Sequence, residues 1–368
     1  MITGDLDRAL ATAIGSAGTW RPAPPGTACE VRTYVTTIAF WLARGHVGGP
    51  GTDGPAAVAA ALAARLSGLD WVEAAAVTGG GYLAATVTAG ALARLAVRIT
   101  EAGPGCARGI ALAGTSLAAP AATDLAAAPT WEEARRRVHA TVTGRLAEAA
   151  GAHVRWDHDA ERVIAAHPAA PVTAGPPTEG TAPVVSPVAE AIAYAGDDAI
   201  TYALARLLPR GPARVDARLA AAHHLGNPAY AVQYAHAHAA SALRQAADLG
   251  LSRGEAAEFQ PRLLAHPSEQ ALLNELSWLP ERVAGAARRA RPDVLAHFLE
   301  GLARAYFDCQ ETCPAVRPGM VVPDGTDRSP AGRAAVQAAA ARLWLAAAAR
   351  TALGAGLGLL GVGAPDRL

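Results

Sequence analysis

Cys309 and Cys313 lie four residues apart, so on a helix they share a face and could offer two thiolates to a metal ion. A structural zinc site needs two more ligands. No second Cys pair or spaced His pair lies nearby, so ordinary buried thiols are expected. His236 and His238 are two apart and point to different helix faces, which makes a shared ion difficult; the adjacent His223 and His224 meet the same objection. Gly79-Gly80-Gly81 lacks the Lys and Ser/Thr that follow in a phosphate loop. Thr130-Trp131-Glu132-Glu133 reads as a capping box, with Thr130 as N-cap and Glu133 at the third helical position. Arg135, Arg136 and Arg137 follow and could meet phosphate, although a solvated helix face is the simpler reading. Trp156-Asp157-His158-Asp159 mixes carboxylates with an imidazole but has no partner motif, so a solvated surface segment is expected.

The chain contains no lysine; all 32 of its basic residues are arginine. This excludes Schiff-base chemistry and any site that needs an ammonium, and it leaves bidentate arginine–phosphate contacts open. Basic and acidic residues balance at 32 each, which argues against tight nucleic-acid binding unless the arginines gather on one face. Apolar residues make up 51% of the chain but aromatic ones only 5%, so alanine-lined helices in close contact are expected. The four cysteines, Cys29, Cys106, Cys309 and Cys313, are scattered and suggest no disulfide framework. The opening MITGDLDRAL is acidic and shows no apolar signal-peptide region, and the apolar run Ala334 to Leu360 is interrupted by Arg342 and Arg350. A cytoplasmic protein with no membrane partner is the expectation.

Periodicity supplies the elements that must position these residues. Helices are predicted at Cys29 to Arg44, Pro55 to Leu69 and Leu92 to Ile99, with strands at Trp71 to Val77 and Tyr82 to Val87 around the glycine turn. Ala134 to Val154 reads as a helix running into a strand. Ala165 to Val188, rich in Pro, Ala, Thr and Gly, reads as a linker or long exposed loop. Further helices are predicted at Val215 to Leu225, Pro228 to Asp248, Ser268 to Ala287, Arg291 to Cys313 and Gly332 to Gly354. Asn227 before Pro228, Ser268, and Arg291-Pro292-Asp293 mark their starts.

The stretch NPAYAVQYAHAHAASALRQA, Asn227 to Ala246, resembles the first helix of the DALR-type anticodon-binding domain of arginyl-tRNA synthetases. Asn227, Pro228, Tyr230, Val232, Gln233, Tyr234, Ala235, His236 and Ala237 keep the family frame NPxYYVQYAHAR. Ala231 replaces its second Tyr, His238 its Arg, and Leu368 a common terminal Met. The segments from Pro267 to Val283 and Pro292 to Cys313, and the ending from Leu357, follow the same domain in order. RTYVTTIAFWLA (Arg32 to Ala43) and GGGYLAA (Gly79 to Ala85) are similar to the family's N-terminal accessory domain, and AGDDAITYALAR (Ala195 to Arg206) to a segment following the KMSKS loop. Aligning Arg145 to Gly151 on the helix after the class I signature sets Thr130-Trp131-Glu132-Glu133 where the family has His-x-Gly-His. Two carboxylates there would repel ATP phosphates that imidazoles stabilise.

The resemblance implies an α+β, mostly α-helical chain in three parts. Residues 1–100 would be a small α/β accessory domain. Residues 101–188 would be a degenerate remnant of the catalytic domain with its linker, and 189–368 an all-α DALR helical bundle whose motif core is 227–368. It implies tRNA or a tRNA-like RNA as partner, with Tyr230, Gln233, Tyr234, His238 and Arg244 on the anticodon side and Thr36 and Thr37 on the accessory domain. A tyrosine ring can stack an unpaired base for about 1–3 kcal/mol. No catalytic residue, metal or cofactor is expected, and aminoacylation is expected to be lost. Two alternatives stay open: a scaffold docking on a synthetase or another protein, and the arginine–tRNA ligase activity the family carries.

Overall fold

The structure is a computed structural model and describes residues 2–14, 20–22, 30–44, 54–121, 124–157, 186–316 and 330–368. The chain opens with helix α1 (Ile2–Ile14) and strand β1 (Trp20–Pro22). Strand β2 (Thr33–Thr36) follows, then helices α2 (Ile38–Ala43) and α3 (Pro55–Leu66). β2 lies inside the segment expected to be one helix from Cys29. Its Thr-Tyr-Val-Thr run is β-branched and aromatic, and it pairs antiparallel with β1 and with a later strand, which overrides the apolar helical pattern. Cys29 itself falls outside the described residues.

Strands β3 (Val72–Thr78) and β4 (Tyr82–Val87) form the expected hairpin and complete an antiparallel sheet of order β1-β2-β4-β3. The triple glycine makes their turn: Gly79, Gly80 and Gly81 have φ of 42°, 67° and 138°. A Cβ on Gly81 would sit 2.7 Å from Pro55 of α3, so the turn needs glycine for both backbone and space. The third expected helix is two, α4 (Ala89–Ala93) and α5 (Leu95–Ala102).

A small parallel unit follows: β5 (Ser116–Pro120), α6 (Trp131–Ala149) and β6 (His153–Asp157), with β5 paired to β6. Thr130 caps α6 by accepting from the Glu133 amide at 3.2 Å. The Glu133 carboxylate does not return the bond; it pairs with Arg136 and with Arg137 at 2.8 Å, so the capping box is half formed. Arg135 is buried instead of solvated. Trp156 is likewise half-buried, its ring pressed on Gly144 of α6, where a Cβ would lie 2.8 Å from it. His158, Asp159 and the expected linker up to residue 185 lie outside the described residues, and the linker's last two residues, Pro187 and Val188, already belong to a helix.

The rest is helical: α7 (Pro187–Ala195), α8 (Asp197–Arg206), the single turn α9 (Ala217–Ala220) and α10 (Pro228–Asp248). Then come α11 (Pro267–Ser277), α12 (Leu279–Arg288), α13 (Pro292–Thr312) and α14 (Pro330–Leu360). The expected single helix from Ser268 breaks at Trp278 because Pro280 has no amide to continue the ladder. The expected helix Val215 to Leu225 shrinks to α9. Asn227 draws the Ala220 and Ala222 carbonyls aside at 2.8 and 2.9 Å, which competes with helix continuation.

Helix α14 is long and apolar enough to cross a bilayer, yet 67% of its apolar window is buried inside this fold. It packs against α5, α10 and α13. Its Arg342 pairs at 2.8 Å with Glu269, whose side chain is 1% exposed. One continuous core runs from Ile2 to Val362 and joins the sheet to the helices.

Candidate nucleic-acid interface

Asn227 starts α10 by accepting from the Ala229 amide at 3.1 Å, with Pro228 in the first turn. One face of α10 buries Ala229, Val232, Ala235, His236, Ala239 and Ala240. The other carries Tyr230, Tyr234 and His238, successive residues four apart, which places them in one stripe along the helix. Their rings form a ladder. Tyr230 lies 5.7 Å from Tyr234 with planes 8° apart, and His223 adds a ring 5.5 Å from Tyr230 at 16°. Phe307 of α13 continues it, 5.6 Å from Tyr234 at 24°. Tyr230, Tyr234 and Phe307 are all half-buried and His223 is exposed, so the ladder is anchored on one side and open on the other.

His238 closes the row. Burial holds its imidazole below the ordinary histidine range, and its Nδ1 lies 2.9 Å from the hydroxyl of the fully buried Tyr306. A neutral ring accepting from that hydroxyl satisfies both facts. Tyr306 is held above its ordinary range, again by burial, and remains a phenol that can donate.

Gln233 and Arg244 bind the end of the chain. Gln233 Nε2 donates to the Gly363 carbonyl at 3.0 Å, and Arg244 to the Asp366 carbonyl at 3.1 Å. Between them His236 Nδ1 donates to the Pro365 carbonyl at 3.1 Å, and Arg350 of α14 grips the Asp366 carboxylate through Nε and Nη2. That guanidinium holds the Asp366 carboxyl below the usual carboxylate range. The terminal segment is thus strapped along α10 beside the ladder.

Thr36 and Thr37 are not in this cluster. Thr36 is buried, its hydroxyl oxygen accepting from the Ile38 amide at 3.3 Å; Thr37 is exposed at the start of α2. The sheet that carries them docks on α11, where the Tyr34 hydroxyl donates to Ser277 at 2.8 Å. Cys309 and Cys313 are both buried, and burial pushes the Cys309 thiol up to about 12. No group of three His, Cys, Asp or Glu stands together among the described residues.

Sequence spacing marks neither His223 nor Phe307 as part of a binding surface. His223 suggests only a poor metal-ligand pairing with His224, and Phe307 belongs to a different helix, so only the folded chain brings them to Tyr230 and Tyr234. Below His223 and Tyr230 opens a cleft of about 320 Å³, lined also by Asp197, Asp198, Gln233 and Leu368. Burial, together with Asp198 and Asp124, pushes the Asp197 carboxyl up.

Residues 232–368, beginning one turn inside α10, match the family model of the DALR anticodon binding domain. Over those residues the chain resembles that domain. Part of the chain is also similar to part of arginine–tRNA ligases. The Micrococcus luteus ligase is 38% identical over 177 residues, covering 48% of this chain and 30% of the relative. The Chloroflexus aggregans ligase is 42% identical over 143 residues, covering 39% and 22%. The chain thus matches about a third of these relatives' length or less. In overall fold it is similar to the Thermus thermophilus arginyl-tRNA synthetase, with TM-score 0.60 and 16% identity, over 100% of this chain and 99% of that one. Of the ring ladder, Tyr234 on α10 and Phe307 on α13 lie within the matched residues, as does the strapped tail, while His223 and Tyr230 stand just before them.

Proposed function

We propose that this chain is an arginyl-tRNA-synthetase-like protein that binds tRNA or a tRNA-like RNA through its DALR domain and does not aminoacylate. The observation that carries the binding is the ladder His223–Tyr230–Tyr234–Phe307, a row of near-parallel rings open on one side. Unpaired bases stack on such rings for about 1–3 kcal/mol each with little sequence preference. His238 contributes no charge, so stacking outweighs charge at that end of the row. The loss of chemistry rests on Thr130 to Glu133. Where the family's imidazoles would meet ATP, this chain has a helix cap and a carboxylate already paired with two arginines. No lysine is present to serve a KMSKS-type loop.

The three-part division into 1–100, 101–188 and 189–368 belongs to the same proposal, with the parallel unit β5-α6-β6 as the catalytic remnant. A tRNA-holding role places the protein in the cytoplasm. A gel shift with total tRNA at low salt is expected to show a complex that Tyr234→Ala weakens roughly five- to a hundredfold; no shift would sink the reading. ATP–pyrophosphate exchange with arginine is expected to stay at background, and a rate above it would restore the ligase. A protein-docking role has one observation in its favour, the exposed Tyr194, Leu208, Leu219 and Leu225 around α7 to α9.

A further inference from the structure

The segment before α10 is held in place by two buried side chains. Arg135, 8% exposed, donates to the carbonyls of Leu208 at 3.1 Å and Gly211 at 2.8 Å. Asn227, 4% exposed, donates to those of Ala220 and Ala222. Between these pins stand Arg210, Arg214 and Arg218, all exposed and none with a carboxylate partner among the described residues. Asp216, the acid among them, uses its carboxylate to cap α9, accepting from the amides of Arg218 and Leu219 at 3.0 and 3.2 Å. The segment then runs through His223 directly into the ring ladder. In a chain of zero net charge, three arginines without a carboxylate partner set against the single Asp216 leave the 208–224 segment locally positive.

We infer that Arg210, Arg214 and Arg218 form a phosphate track that carries the RNA backbone on from the aromatic ladder, so that the site extends to the 208–224 segment. The inference rests on the proposed RNA-binding role and adds to it a second surface with a different chemistry. Guanidinium groups meet phosphate oxygens bidentately and without sequence preference, while the rings take the bases. Asp197 and Asp198 face the cleft below His223 and repel phosphate, which sets the path along the arginine side and away from α8.

The test is fluorescence anisotropy of the full chain with a labelled RNA stem–loop, repeated from about 50 to about 300 mM NaCl. The parent, the triple variant Arg210→Gln/Arg214→Gln/Arg218→Gln, Tyr234→Ala and Asp197→Asn are compared. The side chains of these exposed arginines make no hydrogen bond or ion pair among the described residues, so the triple variant should melt like the parent. Each single-strand phosphate contact contributes roughly 0.7 to the slope of log K against log salt. The triple variant is therefore expected to flatten that slope by about 2 and to lose tenfold or more in affinity at low salt. Tyr234→Ala should lose affinity at an unchanged slope, and Asp197→Asn should bind somewhat tighter. A triple variant with the parent's slope overturns the phosphate track, and the stacking role then stands or falls on Tyr234→Ala alone. A flattened slope with no effect of Tyr234→Ala supports the track and removes the ladder. No binding by the parent overturns both, as does capture of an acidic polypeptide in place of RNA.

Discussion

At the scale of single residues, burial sets the protonation of three histidines, one of them at the end of the ring stripe. His139, His236 and His238 are each held below the ordinary histidine range, with burial the leading cause in all three. Hydrogen bonds to Leu204 and Pro365 carbonyls oppose burial at the first two without cancelling it. A folded-state pKa below the unfolded value means that the unfolded chain binds more protons as the solution becomes acidic. The stability these residues contribute is full above the unfolded value of about 6.5 and is lost as pH falls from there toward the lower folded values. Urea unfolding at about pH 7.5 and about pH 6 brackets the upper part of this window and stays above the ordinary carboxylate range. The protein is expected to be less stable at the lower pH; equal or greater stability there would contradict neutral buried imidazoles. At this scale the sequence was a good guide to identity and a poor one to environment. Tyr230 and Tyr234 were legible from spacing and resemblance, but that Arg135 would be buried, or that Gln233 and Arg244 would hold the tail, depends on contacts 73 to 130 residues away.

At the scale of elements, α10 shows why some boundaries could be read and others could not. Its start was legible because Asn227-Pro228 is a local signal: a side-chain cap and a proline whose missing amide costs nothing there. The long-range duties of the same Asn227 were not legible. Its Oδ1 caps α10 while its Nδ2 holds both carbonyls that end α9 and so fixes the loop that sets His223 on Tyr230. Asn227→Ala is expected to cost about 2 kcal/mol, because it removes the cap and leaves two buried-side carbonyls without their donor. Asn227→Asp keeps the cap acceptor but turns a carboxylate oxygen toward the two carbonyls in a buried site, so it should cost at least as much as Ala. Chemical denaturation compares the three, and an Asp variant as stable as the parent would show that the two loop bonds contribute nothing. Strand β2 is the opposite case. Thr33 to Thr36 reads as part of an apolar helix because the strands it pairs with, β1 and β4, are distant in sequence.

At the scale of the molecule, the sequence divides more readily than the fold does. Composition and resemblance suggest separate end domains, yet their apolar residues share one core. The junction is specific as well as apolar. Tyr34 of the sheet is fully buried, its ring 4.9 Å from that of Trp278, and its hydroxyl donates to Ser277, which in turn donates to the Asn274 carbonyl at 2.7 Å. Helix α5, with Leu95, Ala96 and Ile99 buried, packs against α14, so the N-terminal part covers surface the bundle would otherwise expose. Two units joined this way should unfold together, and calorimetry is expected to show one transition; two resolved transitions would refute the shared core. The hydroxyl pair gives a finer test. Ser277→Ala leaves the Tyr34 hydroxyl buried without an acceptor, at a cost of about 1–3 kcal/mol. Tyr34→Phe removes that hydroxyl and leaves Ser277 its bond to Asn274, so it should cost less. The double variant should then resemble Tyr34→Phe instead of the sum of the two, because once the phenol is gone Ser277 has no interdomain duty left. Additive losses would mean that Ser277 and Tyr34 stabilise their own sides independently, and that the sheet is held to the bundle by apolar contact alone.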